Sequence, residues 1–526
     1  MSGRRLSALA TLMAVGWMTA ASPLATQEPS RRSVPPLPPR YPLRGEDGLV
    51  RAYEFILEAR FDQVDAELRR ACGPAPPEAC DVLEATALWW RIQLDPESRA
   101  LDPAFTAGVE RAIRTTEAWT ERAPDSAEAW FYLGGAYGAR VQWRVLRGEK
   151  VAAARDGKQI KEAMDRAIAL EPGMDDAYFG LGMYKYYADV APAAARILRF
   201  LLLLPGGDRK EGLREMLRAR SRGRLMQGEA DYQLHVIYLW YERQTRRAIE
   251  LLHALQARYP GNPLYLAQIA QIQDAYEHDI IASLETWRTL LAAAREQRAN
   301  NGALAEVQAR LGVARMMDAV HLTDDALDHL KAVTALKPEA PYSSLALAYL
   351  RLGEAHDRLG ARPAALAAYK SALAAVPPLD PYDVRGQASG RIRHAPDARH
   401  AEAFRLSLDG WRRLERNDLP GATTALERAI TLNPHEPVAH YRLGRVLQAR
   451  RADADALIQF DLSIRNGRTC PPPILGNAHL EAARLHERLG HKDEAISGYR
   501  IAATLFGAGA ETQAAATRAL ARLNIR

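Results

Sequence analysis

The chain is poor in the features that usually announce a function. It has three cysteines in 526 residues, and no two stand at the close CxxC spacing used for redox chemistry or zinc. Serine-hydrolase, P-loop, dinucleotide-binding and HExxH signatures are all missing, so the familiar catalytic and nucleotide-binding sites are excluded. No stretch alternates apolar and polar residues in the way a half-buried strand does. Charge of one sign is lacking too: 70 Lys and Arg face 64 Asp and Glu, and no compact basic stretch interleaves with aromatics. A net charge of +6 spread over this length gives no focused field, which argues against nucleic acid as a partner. Nor is any apolar run as long as the roughly 20 residues a membrane span needs. Residues 197–204 are apolar but contain Arg199 and stop at Pro205, Gly206 and Gly207.

The residues that are present describe a folded, exported protein. Apolar residues make up 48% and charged residues 25%, a globular balance. The length is too great for one ordinary core, so the chain is either several domains or an elongated array. Arg4 and Arg5, the apolar run 6–18 and the small residues Thr19, Ala20, Ala21 and Ser22 read as a secretory signal over 1–21. Cleavage after Ala21 fits best, with Ala25 the alternative. No cysteine follows the run, so the lipid-anchor attachment point is missing and a periplasmic or secreted product is expected. Pro35, Pro36, Pro38, Pro39 and Pro42 make 22–45 an extended linker, and folding is expected from Glu46. Cys72 and Cys80 flank a short Pro-rich loop that a disulfide would pin in an oxidising compartment. Cys470 is left over as a buried or idle thiol, or as an intermolecular bridge.

Periodicity decides the architecture. Tyr349, Leu352, Gly353 and His356 share one face of a first helix, and Ala365, Tyr369 and Ala372 share a face of a second. Gly360 falls in the turn between them, Pro377 closes the unit, and Gly353 and Ala365 are small where the helices cross. The phasing returns at Trp130, Leu133, Gly134 and Tyr137, and at Tyr178, Leu181 and Gly182. Gly410 and Gly444, Ala422 and Ala456, Leu426 and Phe460, and Ala248 and Ala282 are each 34 residues apart. Ala326, Leu330 and Pro338 mark another unit, and Ala495, Tyr499 and Ala502 mark the last.

This pattern resembles the tetratricopeptide repeat family from about residue 125 onward, and more loosely from Glu46. The resemblance implies an all-α superhelical solenoid of antiparallel helix pairs, with repeats over 46–190, 229–377 and 403–526. Pro124 and Pro172 close consecutive units but lie 48 apart, so about 14 extra residues around 144–156 lengthen one hairpin. Residues 191–228 read as helical but off-pattern, the place for any subdomain boundary, and 378–402 as a loop excursion.

In this family the first helices line an inner groove, which implies Trp411, Tyr441, Arg445, Gln448, Arg484 and Arg488 as its lining here. Guanidinium groups beside aromatics suit an acidic segment or a terminal carboxylate. The family's chaperone clamp of Lys and Asn is not matched, because Leu350, Glu354, Tyr441 and Arg445 occupy the comparable positions. About half of the aromatics clustered around Tyr186 and Tyr241 must face inwards at helical spacing, and only a few, these two among them, are expected to be available as a recognition surface. The histidines, including His435, His440, His479, His486 and His491, read as packing or surface residues, so no metal and no cofactor is expected. Asp175, Asp176, Asp324 and Asp325 precede repeat helices and read as caps. The expected role is therefore a non-catalytic adaptor of the cell envelope binding a protein or peptide segment. An enzyme with an unfamiliar site in residues 191–228 or 378–402, or a structural homo-oligomer, are the alternatives.

Overall fold

The computed structural model describes residues 38–190 and 206–523. The expected signal at 1–21, most of the expected linker and the first part of the off-pattern segment, 191–205, lie outside the described residues. Among those described there are 24 α-helices, one short 3-10 turn and no strand. None of these helices is long and apolar enough to cross a membrane. The chain divides into two compact units, the first ending at Leu264 and the second beginning at Tyr265. That boundary falls after the off-pattern segment, not within it.

Unit 1 contains α1 (Glu46–Leu57), α2 (Phe61–Ala71), α3 (Pro77–Leu94), α4 (Asp102–Arg122), α5 (Ala127–Leu146), α6 (Lys150–Leu170), α7 (Ala177–Val190), α8 (Arg209–Arg222), α9 (Gln227–Trp240) and α10 (Thr245–Arg258). The division falls in the first turn of α11 (Pro263–Ala275), most of which belongs to unit 2, and unit 2 continues with α12 (Ile280–Arg295), α13 (Gly302–Ala319), α14 (Thr323–Leu336), α15 (Ser344–Arg358), α16 (Arg362–Ala375) and α17 (Val384–Arg393). It ends with α18 (Ala398–Glu415), α19 (Leu419–Leu432), α20 (Pro437–Ala449), α21 (Asp453–Arg465), α22 (Pro472–Leu489), α23 (Lys492–Thr504) and α24 (Ala510–Arg522).

One crossing geometry recurs in unit 2. Gly353, Gly410 and Gly444 each lie against the side chain sixteen residues on, namely Tyr369, Leu426 and Phe460. A Cβ on Gly444 would sit 2.6 Å from Phe460 Cε1, closer than packed atoms tolerate. Unit 1 uses the same contact in a stretched form. Gly134 meets Met164 thirty residues on, because the fourteen extra residues are absorbed as added turns in both α5 and α6. A second bond recurs at three hairpins and ties the first helix to the proline six residues before it. Trp130 Nε1 and Tyr178 Oη donate to the carbonyls of Pro124 and Pro172, at 2.8 and 3.3 Å, and His440 Nε2 stands 2.9 Å from that of Pro434. In all three the partners are six residues apart, so the polar edge of the ring satisfies a carbonyl freed at a helix end.

The described part of the off-pattern segment, 206–228, contains a regular element: α8 packs against α7 as the second helix of a hairpin. Its crossing is so close that a Cβ on Gly182 would meet Gly212 O at 2.6 Å. The excursion at 378–402 is not a loop. It contains α17, whose Val384 and Ala388 are fully buried in the cluster of Leu350, Tyr369 and Ala372, and α18 already starts at Ala398. Short length and few apolar residues hid α17 from a periodicity argument, since two buried side chains four apart are enough once a core exists to receive them.

Within each unit the ends are brought together. In unit 1, Asn262 Nδ2 donates to Leu57 O at 2.8 Å and Arg258 pairs with Glu54 at 3.1 Å. The last residues of the linker are docked there as well: Tyr41 N donates to Gly173 O and Arg222 Nη2 to Pro38 O, both at 2.8 Å. Cys72 and Cys80 are bonded, with Cα atoms 6.2 Å apart, and Ala75 of their loop packs on Gly45. In unit 2 the Phe506 ring lies against His278, 5.3 Å between centroids.

At the centre of unit 1 a carboxyl is fully buried. Glu229 accepts from Tyr53 Oη at 2.8 Å, Trp90 Nε1 at 3.0 Å and Gln233 Nε2 at 3.0 Å. Burial pushes its pKa up, and the surrounding donors only partly offset this. Replacing Glu229 by Ala removes an acceptor shared by three elements and is expected to destabilise the protein by about 3 kcal/mol in denaturant unfolding. Gly444→Ala is expected to cost about 2 kcal/mol through overpacking against Phe460, visible in the same measurement.

Candidate functional site

The six residues expected to line the groove come from three first helices of unit 2: α18, α20 and α22. Trp411 and Tyr441 are neighbours, with ring centroids 6.4 Å apart, but Tyr441 is only 6% exposed and packs on Phe460. Arg445 Nη1 donates to Tyr441 Oη at 3.2 Å, while its Nε is buried without a hydrogen-bond partner. Gln448 and Arg484 both donate to Glu481, at 2.7 and 2.6 Å. Arg488 turns the other way and pairs with Asp453 of α21 at 2.7 Å. The structure therefore joins Trp411, Tyr441, Arg445, Gln448 and Arg484 into one row, with Glu481 as an added carboxylate, and leaves Arg488 outside it.

The most unusual group of the site was not among the six. Arg442 is 3% exposed, and no carboxylate stands within ion-pair distance of it among the described residues. Its Nη1 donates to Ser407 Oγ at 2.9 Å and its Nη2 to His321 O at 2.8 Å, and its guanidinium lies 5.8 Å from the Trp411 ring centroid. Burial pushes its pKa down to about 10, so it remains charged at neutral pH. Its field matters locally. Burial first, then the charges of Arg442 and Arg358, push the His321 pKa down to about 3 and keep that ring neutral. A signal for Arg442 does exist in the sequence: it lies midway between Val438 and Val446, four residues from each, on the buried stripe of α20.

Arg412, next to Trp411, reaches across to the start of α14. It bonds both oxygens of Asp324 at 2.7 Å, meets Asp325 at 2.7 Å, and also takes Glu415 at 3.0 Å. The aspartates read as caps thus have other partners. Asp175 pairs with Arg218 and Arg222 at 2.6 and 2.9 Å, and Asp176 accepts from the backbone of Arg224 and Met226, just ahead of α9. The aromatic candidates also shift. Tyr186 is fully buried, with its hydroxyl donating to Glu242 at 2.6 Å, and Tyr241 packs edge-on against it.

Elsewhere, an open cleft of about 630 Å³ in unit 1 gathers Arg40, Arg51, Arg70 and Arg224, each paired with Glu46, Asp47 or Glu67. Among the described residues no group of three or more His, Cys, Asp or Glu converges as metal ligands would. His440 is held by Gln459 and Pro434, and His486 faces His491 with 3.3 Å between Nδ1 atoms. Cys470 is buried, which pushes its thiol pKa up to about 12 and makes it a poor nucleophile.

Arg442→Lys keeps the charge but cannot bridge Ser407 and His321 together, and is expected to destabilise the protein by about 2 kcal/mol in denaturant unfolding.

Neither a family profile nor a curated protein sequence matches this chain. Among solved structures it is similar to a Rap protein complexed with competence and sporulation factor, at 14% identity and a TM-score of 0.33, over 91% of this chain and 99% of that one. A tetratricopeptide repeat protein from Parabacteroides merdae has 14% identity and a TM-score of 0.24, over 55% and 98% of the two chains. The TPR2AB domain of yeast Sti1, in a complex with pHSP90, has 15% identity and a TM-score of 0.20, over 56% and 96%. With scores this low, none of these proteins speaks for what this chain does, and its repeat character rests on its own hairpins.

Proposed function

We propose that this chain, tetratricopeptide-like in its hairpins and their register, is a non-catalytic binding protein of the cell envelope. It holds an acidic protein or peptide segment on the first-helix row of unit 2. The observation that carries this reading is that row itself: Trp411, Tyr441, Arg445 and Gln448 from consecutive first helices, with the half-buried Arg445 guanidinium bonded through Nη1 to Tyr441 Oη. A guanidinium without its full set of acceptors beside an aromatic edge is a site for a carboxylate, because charge-assisted bidentate bonds are the strong ones. Export is supported by the N-terminal segment 1–21 and by the joined Cys72 and Cys80, which an oxidising compartment maintains.

Pull-down from an envelope extract with the protein lacking residues 1–21, compared with a Trp411→Ala, Arg445→Ala, Arg484→Ala variant, tests the surface. Loss of captured proteins in the variant is expected; unchanged capture assigns binding elsewhere. N-terminal sequencing of the protein recovered from the envelope is expected to begin at Ser22 or, by the alternative cleavage, at Thr26. An intact Met1 would remove the export argument.

A further inference from the structure

The turn between α13 and α14 is bonded to arginines of α18 and α20. In a hairpin array each unit needs only its immediate neighbours to complete its core. Yet Arg412 of α18 reaches Asp324 and Asp325 across 88 and 87 positions of sequence, and Arg442 of α20 reaches His321 O across 121. Both bonds skip the intervening α15–α16 hairpin.

Other hairpins of unit 2 use a turn aspartate differently. Asp279 caps α12 by accepting from Ala282 N at 2.9 Å, and Asp418 caps α19 by accepting from Gly421 N at 3.0 Å. The residue at the start of α14 is Leu322, which makes no cap bond; of the two aspartates behind it, Asp324 accepts from Asp325 N at 3.0 Å, and both reach Arg412. The Arg412 bonds hold the Asp324 carboxyl below its ordinary pKa even though burial works the other way. The contact is also reachable from solvent, with the side chains of Arg412, Asp324 and Asp325 exposed by 21%, 37% and 43%.

We propose that the turn at residues 320–325 is an internal occupant of the basic inner face of unit 2. Its natural competitor is a partner segment with two adjacent carboxylates. This rests on the reading of that face as a site for acidic segments and adds how access to it is controlled. The surface made by Arg412, Arg442, Trp411 and Ser407 recognises a pair of carboxylates and, just before them, a backbone carbonyl. In the isolated chain Asp324, Asp325 and His321 O supply these groups. Because the occupant is tethered, its effective concentration is high and a free segment binds only in proportion to the fraction of open molecules. Neutralising the two aspartates should raise that fraction without touching the arginines.

The test uses the full chain and a fluorescein-labelled tetra-aspartate peptide, read by fluorescence anisotropy at low salt. Asp324→Asn with Asp325→Asn is expected to tighten binding about tenfold over the unmodified chain, and adding Arg412→Gln is expected to remove the gain. Equal affinity of the unmodified and double-variant chains overturns the internal-occupant inference and leaves the acidic-segment reading standing. So does a gain that survives Arg412→Gln. No binding to any form overturns both. Hydrogen exchange on the unmodified chain gives an answer independent of the variants: residues 320–325 should exchange faster when the peptide is added, and unchanged exchange with the peptide bound overturns the inference.

Discussion

A helical hairpin of this kind survives only if its two helices cross closely enough to exclude water, and that closeness is bought with glycine. At Gly353, Gly410 and Gly444 the missing Cβ is what lets a tyrosine, leucine or phenylalanine ring or branch lie flat on the neighbouring backbone. The remaining structure follows from that contact. A hairpin closed in this way still exposes an apolar stripe on each side, so the next hairpin must cover it, and stacking builds one core out of many small ones. Insertions are tolerated where they leave the crossing alone. The fourteen extra residues between Gly134 and Met164 extend both helices and preserve the crossing.

Polar groups inside the units take the place of missing neighbours. Glu229 ties α1, α3 and α9 together in unit 1, and Arg442 ties the α13–α14 turn to α18 and α20 in unit 2. Each is a charged type of residue placed where water cannot reach. Each is therefore costly alone and acceptable only with its full set of partners. These two residues hold distant hairpins in fixed relation within their unit, which nearest-neighbour stacking does not do. Part of the α18 and α20 surface in unit 2 is covered by the chain's own acidic turn, through Asp324, Asp325 and His321 O.

Much of the fold was legible beforehand because it is periodic. The 34-residue spacing from Gly410 to Gly444, and the closing prolines, register contacts between residues sixteen or six apart, and short-range geometry of that kind is written in spacing. The partners of the candidate row were legible only in part. Trp411, Tyr441, Arg445, Gln448 and Arg484 do come together, since they occupy one helical face on successive units. Arg488 departs from them because Asp453 of the preceding hairpin lies within its reach. Asp324 and Asp325 looked like caps, a local role; Asp324 does accept from the Asp325 backbone N–H, but both carboxylates also take a distant partner in Arg412.

The sequence by itself determined that the chain is an array of helix pairs, where most pairs begin and end, and which small residues sit at the crossings. It did so because each of those features depends on residues fewer than about forty positions apart. Only the tertiary structure decided that α8 and α17 join the array, that Tyr186 is buried, that the division falls at Leu264, and that Arg412 and Arg442 meet the α13–α14 turn. Those outcomes depend on how far successive hairpins rotate. That rotation is the accumulated result of many packing contacts, and no single spacing in the chain encodes it.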